Sequence, residues 1–290
     1  MSPAPHQSPQ KGILFFLVAM NLLPFLDGMA KMLMHEGYSV MQILWARYFF
    51  SVMLTLPIAL WLHGGKVFRP QRIGLQITRG LLQTISTLLL FIAFASMPLA
   101  DAMAVFYAYP LMVTALSPFL LGEKIAWRRW SAVFVGFAGT LLIVRPGFEG
   151  MNVAAIYALV GSCCFAFYLI LTRKTAGTMA PELALTYQCL VSAIVLSMIA
   201  PFFWTLPDLR VWVMFIAIGA LSAAGHFLVI KAFNNASASV LAPLGYTELI
   251  TAAGIGFILF NDIPDHLTWA GIFVISASGI YISWRERMVK

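Results

Sequence analysis

The sequence predicts an all-α polytopic membrane protein, with ten transmembrane helices forming two inverted five-helix repeats. Three observations carry this. Of 290 residues, 61% are hydrophobic and 10% charged, against about 45–50% and about 25% in soluble domains. There is too little polar surface to coat a water-soluble globule. The apolar residues fall into runs of about 20, the length that crosses about 30 Å of hydrocarbon. Finally, the chain matches itself at a shift of 139 residues. Met103–Glu123 overlays Ala242–Asp262, placing Tyr107 on Tyr246 and Glu123 on Asp262. The register continues through Ala93-Phe94 on Ala232-Phe233, Trp130 on Trp269, Phe134-Val135 on Phe273-Val274 and Ala138 on Ala277. Internal repeats at a fixed period decide architecture before local signals do.

In order, the expected spans are 12–34, 39–62, 73–96, 99–121, 129–145, 152–172, 182–204, 209–231, 238–260 and 267–284. The first is a retained helix, because no small-residue cleavage site closes it. Turn chemistry marks the breaks: His63-Gly64-Gly65-Lys66, Met97-Pro98, Arg145-Pro146-Gly147, Thr205-Leu206-Pro207-Asp208 and Asp262-Ile263-Pro264-Asp265. Two units follow, 1–148 and 149–290.

Lysine and arginine set the orientation. With the N-terminus inside, the inner side holds Lys11, Lys66, Arg69, Arg72, Lys124, Arg128, Arg129, Arg173, Lys174 and Lys231, and the C-terminal end holds Arg285, Arg287 and Lys290. The outer side holds little beyond Arg145, Arg210 and Lys31. Both termini are therefore expected in the cytoplasm. Five spans per unit is odd, so the second unit must sit inverted. The loop charges agree: Lys124, Arg128 and Arg129 follow the fourth span, but Asp262, Asp265 and His266 follow the ninth. Inverted repeats suit a carrier whose substrate lies near the midplane where the halves meet.

The net charge of +7 reports loop topology, and no nucleic-acid partner is expected. Cys163, Cys164 and Cys189 lie inside apolar runs without CxxC spacing and read as reduced packing residues. GxSxG, HExxH, P-loop and GxGxxG motifs are all missing. No catalytic residue, metal or cofactor is expected.

The chain resembles the EamA-type carriers of the drug/metabolite transporter superfamily. The resemblance rests on the five-plus-five spans, Trp45-Ala46-Arg47-Tyr48, Pro110 through Gly122-Glu123, Trp130 with Gly136 and Gly139, and Tyr246-Thr247-Glu248 running to Phe260-Asn261-Asp262. Within the family the pattern is similar to carriers of S-adenosylmethionine and riboflavin. It implies a secondary transporter for a small polar or heteroaromatic metabolite in a bacterial-type inner membrane. It also implies a cavity lined by spans 1–4 and 6–9, with spans 5 and 10 as scaffold or homodimer surface. Other readings are an amino-acid or drug exporter of this fold and, from other classes, a membrane enzyme or a scaffold.

Charges within apolar helices are costly and so are functional candidates. Asp27 and Lys31, four apart, share a helix face and either neutralise each other or serve in coupling. Arg47 offers a fork of donors suited to a carboxylate or phosphate, or is a permanent partner of Glu248. Glu248 is a candidate for a substrate amine, for a coupling proton or for Arg47. Arg79 is expected to snorkel inward, Lys231 to lie at the interface, and His226 to be packing. Trp45, Tyr107, Tyr168 and Tyr246, with Gln83 and Gln188, are candidates for holding a flat ring and its polar edge. Tyr109, Tyr187 and Asn21 accompany them. Pro24 and Pro110 are candidate gates, since proline breaks helix hydrogen bonds.

Overall fold

The computed structural model describes residues 9–68, 72–122, 127–144, 153–175, 179–235 and 241–288. Arg69, Glu123, Lys124 and the Arg145-Pro146-Gly147 break lie outside these, as do the side chains of Lys66, Arg128, Arg129, Arg173, Lys174, Arg285, Arg287 and Lys290. The described chain is helical, with short turns. Its elements are α1 (Pro9–His35), α2 (Val40–His63), α3 (Ile73–Ser96), α4 (Leu99–Phe106), α5 (Tyr109–Leu121), α6 (Trp127–Val144), α7 (Val153–Thr175), α8 (Pro181–Ile199), α9 (Leu209–Asn235), α10 (Thr247–Phe260) and α11 (His266–Met288). Among the described residues, seven helical stretches are long and apolar enough to cross a membrane, with α4 and α5 counting together. Three shorter apolar stretches, Trp130–Val144, Leu244–Phe260 and His266–Tyr281, accompany them. The protein is a multi-pass membrane protein.

The surface is apolar where a soluble protein's would be polar. Trp61 is 85% exposed, and Phe119, Phe273 and Ile258 also face outward. Polar residues lie inside: Gln42, Ser51, Gln76, Thr84, Ser162, Thr186 and Ser192 are buried. In hydrocarbon there is no water to satisfy them, so their partners must come from neighbouring helices.

Helix ends follow the turn chemistry. Ser39 caps α2, accepting the Gln42 N–H at 3.2 Å. Asp208 and Asp265 each accept a backbone N–H three residues on, at 2.8 Å, opening α9 and α11. Two repeat-equivalent C-caps are left-handed: Gly122 after α5, with φ 70°, and Asn261 after α10, with φ 55°. Asn is the residue that best substitutes for Gly at such a position.

The packing is reciprocal between the halves. α1 lies along α9, and α7 lies along α3. α2 packs on α8, and α6 on α11. The last pair crosses closely because Gly139 and Gly271 face each other: a Cβ on Gly271 would come 2.8 Å from the Gly139 carbonyl. Small residues allow such an approach in membranes, where dispersion replaces the hydrophobic effect as the force between helices.

Candidate functional site

The span expected at 99–121 is broken at Tyr107-Ala108. Pro110 explains the break, since it lacks an N–H and its ring would clash with the Phe106 carbonyl four residues back. The backbone tightens there: Ala108 N–H donates to Val105 O, three residues back, at 3.1 Å. The repeat-equivalent segment, Ala242–Tyr246, is a 3₁₀ turn that leads into α10. Tyr107 and Tyr246 thus stand at corresponding irregular points, their ring centroids 5.5 Å apart.

Around these two tyrosines lies a cavity of about 330 Å³. Both halves wall it, with Asp27, Arg47, Gln83 and Tyr107 from the first and His226, Tyr246 and Glu248 from the second. Phe106, Tyr109 and Phe165 supply further aromatic surface, and Tyr109 and Phe165 meet edge to face at 4.8 Å. The volume falls at the lower end of small-molecule sites, about 300–1,000 Å³.

Arg47 is pinned by polar partners from two helices, α1 and α9. Its Nε donates to Ser222 Oγ at 3.2 Å and its Nη2 to His226 Nε2 at 3.4 Å, while Asp27 Oδ1 lies 3.8 Å from Nη1. Because the guanidinium can only donate, His226 accepts through Nε2. The Phe91 and Tyr48 rings flank the guanidinium at 5.6 and 5.8 Å. Glu248 is not Arg47's ion partner. Its Oε2 is bonded by the Tyr107 hydroxyl, which also lies 2.8 Å from the Gly245 carbonyl. Asn21 ties α1 to α10 through Thr251 and Thr247.

Two buried polar atoms on this cavity have no hydrogen-bond partner among the described residues, Gln83 Oε1 and the Tyr246 hydroxyl. An unpartnered buried polar atom costs about 1–3 kcal/mol, which a ligand able to bond with it would offset.

The remaining candidates are dispersed. Asp27 and Lys31 do not pair, despite their spacing. Lys31 instead donates to Asp262 Oδ2 at 2.7 Å and to the Met97 carbonyl at 3.0 Å, and its Nζ lies 4.8 Å from the Phe260 ring centroid. Lys31 sits outside the cavity lining, in a cluster joining the ends of α1, α3 and α10. Trp45 lies off the cavity in an aromatic cluster, with its Nε1 on Ser197 Oγ at 3.0 Å and its ring stacked on Phe49 at 4.7 Å. Tyr168 donates to Gln188 Oε1 at 2.7 Å, and neither residue lines the cavity. Arg79 does not snorkel. It is 2% exposed, donating to Gln76 Oε1 at 2.6 Å and Thr172 Oγ1 at 3.0 Å, because α3 and α7 enclose it with acceptors. Pro110 lines the cavity; Pro24 lies inside α1, away from it.

Sequence reasoning did not select Phe16, Phe106, Phe165 or Thr87 for the site, and it read His226 as packing. The repeat held a signal for one pair: Thr87 and His226 stand 139 residues apart, and both line the cavity.

The EamA-like transporter family matches the chain twice, over residues 10–145 and 152–284. An S-adenosylmethionine uptake transporter of Rickettsia bellii is 28% identical over 276 residues, covering 95% of this chain and 94% of the relative. A riboflavin transporter of Vibrio cholerae is 25% identical over 281 residues, covering 96% and 94%. A pseudopaline exporter of Pseudomonas aeruginosa is 27% identical over 239 residues, covering 81% and 84%. A solved crystal structure 18% identical in sequence superposes with a TM-score of 0.67 over 94% of this chain and 99% of its own, a likeness of fold.

Proposed function

The chain belongs to the EamA-like transporter family, and on that premise we propose that it is a secondary carrier that moves a small metabolite across a bacterial-type inner membrane by alternating access. The observation that carries this reading is the cavity between the halves, with charged, aromatic and unpartnered polar groups converging on it. The reading takes the fold as ten spans, in an inverted pair of units 1–148 and 149–290, with both termini cytoplasmic. The reciprocal packing of α1 on α9 and α7 on α3 supports the pairing, and the basic loops support the orientation.

The chemistry favours a substrate class. Two acid side chains, Asp27 and Glu248, share the cavity with one guanidinium, Arg47; Asp27 is matched with Arg47, so Glu248, once it gives up its proton, is left to take a positive group. That balance suits a ligand with a positive group better than an anion. Aromatic walls suit a flat ring, and Gln83 Oε1 and the Tyr246 hydroxyl suit its polar edge. S-adenosylmethionine combines an adenine ring, an amino-acid head and a sulfonium, and we take it as the substrate type. Riboflavin carries a ring but no positive charge.

The conformation in this reading faces inward. At the outer end, Lys31 bonds Asp262, Glu36 pairs with Arg210, and Gln42 donates to the Thr205 carbonyl at 2.8 Å. Each contact joins the two halves. The cavity lining instead extends toward the other end, through Phe16, Thr114 and Leu169.

A thermal-shift screen tests the substrate class, since a ligand that binds only the folded state raises apparent stability. The purified protein is expected to be stabilised by S-adenosylmethionine more than by riboflavin. Stabilisation by riboflavin alone would reassign the substrate class.

A further inference from the structure

Tyr107 and Glu248 meet at the junction of the two irregular segments. The phenolic oxygen has two close acceptors, the Gly245 carbonyl at 2.8 Å and Glu248 Oε2. A phenol carries one proton and can fully satisfy one acceptor. If Glu248 were ionised, Tyr107 would donate to the carboxylate, and its oxygen would face the Gly245 carbonyl with no proton between them. If Glu248 carries a proton, the conflict disappears: the carboxylic acid donates to Tyr107 Oη, and Tyr107 donates onward to Gly245. Every close oxygen pair then holds one hydrogen.

The surroundings point the same way. Glu248 is 7% exposed, and a buried charge without a partner neutralises at lower cost than it ionises. The neighbouring cation is already committed, because Asp27 is the acid within ion-pair distance of Arg47. The charged and titratable groups facing Glu248 are Asp27 from α1, Arg47 from α2, Tyr107 from α4, Tyr109 from α5, His226 from α9 and Tyr246 from the preceding turn. Asp27 disfavours a second negative charge. Arg47 and the N-terminus of α10 favour the ionised form, so the proton can leave once water or a ligand reaches the site.

We infer that Glu248 is a proton-binding site, occupied in this conformation, and that Tyr107 reports its state to the irregular turn of the second half. On release the proton passes to cavity water. The Tyr107 proton then turns from the Gly245 carbonyl to the carboxylate, and the turn loses the hydrogen bond that ties it to the broken helix of the first half. Protonation thereby controls a bond between the two irregular segments.

The test needs no substrate, so its outcome is separate from that of the transport reading. Infrared difference spectra are recorded on the full chain in lipid nanodiscs near neutral pH. A protonated-carboxyl band is expected in the native protein, absent in Glu248→Gln and retained in Asp27→Asn. Tyr107→Phe is expected to shift the band, since the acid loses its acceptor; this variant serves if Glu248→Gln does not fold. A spectrum without the band near neutral pH, a band lost in Asp27→Asn but not in Glu248→Gln, or a band unmoved by Tyr107→Phe would overturn the inference.

Discussion

Tyr107 and Tyr246 are 139 residues apart in sequence, yet their ring centroids lie 5.5 Å apart at the centre of the bundle. Their surroundings differ. The Tyr107 hydroxyl is bonded to Gly245 and Glu248, while that of Tyr246 is buried without a partner among the described residues. The two phenylalanine variants are therefore expected to separate stability from binding. Tyr107→Phe should cost about 1–3 kcal/mol of stability, because it strands a buried carbonyl and a buried carboxyl. Tyr246→Phe should leave unliganded stability unchanged or slightly raised and weaken substrate binding. Thermal unfolding with and without S-adenosylmethionine checks both; equal destabilisation by the two variants would contradict the assignment.

Arg47 is matched with Asp27, and a double-mutant cycle identifies that partner. Arg47→Met should be strongly destabilising, by about 3–5 kcal/mol, since it leaves an uncompensated buried acid. Adding Asp27→Asn should recover roughly 1–3 kcal/mol, the scale of coupling between contacting groups. Adding Glu248→Gln instead should recover none. Recovery through Glu248→Gln alone would make Glu248 the true partner.

Lys31 and Asp262 join α1 to the end of α10, and in the proposed orientation this pair closes the outer side. Asp262→Asn removes the charge and should weaken that closure by about 1–2 kcal/mol, a factor of roughly 5–30 in the open population. With the native cysteines replaced, Leu23→Cys reports from the cavity lining. Its labelling by an impermeant maleimide from the outside should speed up by that factor when Asp262→Asn is added. Unchanged labelling would remove the pair from the gate.

Two glycines provide a packing test. At Gly271 a methyl would press on Ile143 and the Gly139 carbonyl; at Gly254 it would meet nothing within 4 Å. Gly271→Ala should destabilise by about 1–3 kcal/mol. Gly254→Ala should stabilise by roughly 0.5–1 kcal/mol, because alanine loses less freedom in a helix. The reverse order in thermal unfolding would contradict the α6–α11 crossing.

The helices were legible because length and hydropathy are local properties: the expected span at 73–96 coincides with α3, Ile73–Ser96. The irregular points at Tyr107 and Tyr246 were partly legible, through Pro110 and the repeat register. Pairings were not. Four-residue spacing suggested Asp27 with Lys31, but the side chains turn to different helices, which three-dimensional packing decides. Nor could the facing of Trp45 be read: Arg47, Ser51 and Thr55, four apart, mark one polar face of α2, but the partners of the Trp45 ring, Ser197 and Trp204, come from the far half of the chain. Arg79 looked free to snorkel because its enclosing acceptors, Gln76 and Thr172, come one from its own helix and one from α7.

Carriage of a positively charged, ring-bearing metabolite through the Asp27–Arg47–Glu248 cavity is tested most directly by counterflow. Proteoliposomes are loaded with unlabelled S-adenosylmethionine and diluted into a trace of the labelled compound. Transient accumulation of label above equilibrium is expected, competed by excess S-adenosylmethionine more than by riboflavin and reduced at least tenfold in Glu248→Gln. Label that never exceeds equilibrium, or accumulation equal in Glu248→Gln and the native protein, would contradict the account.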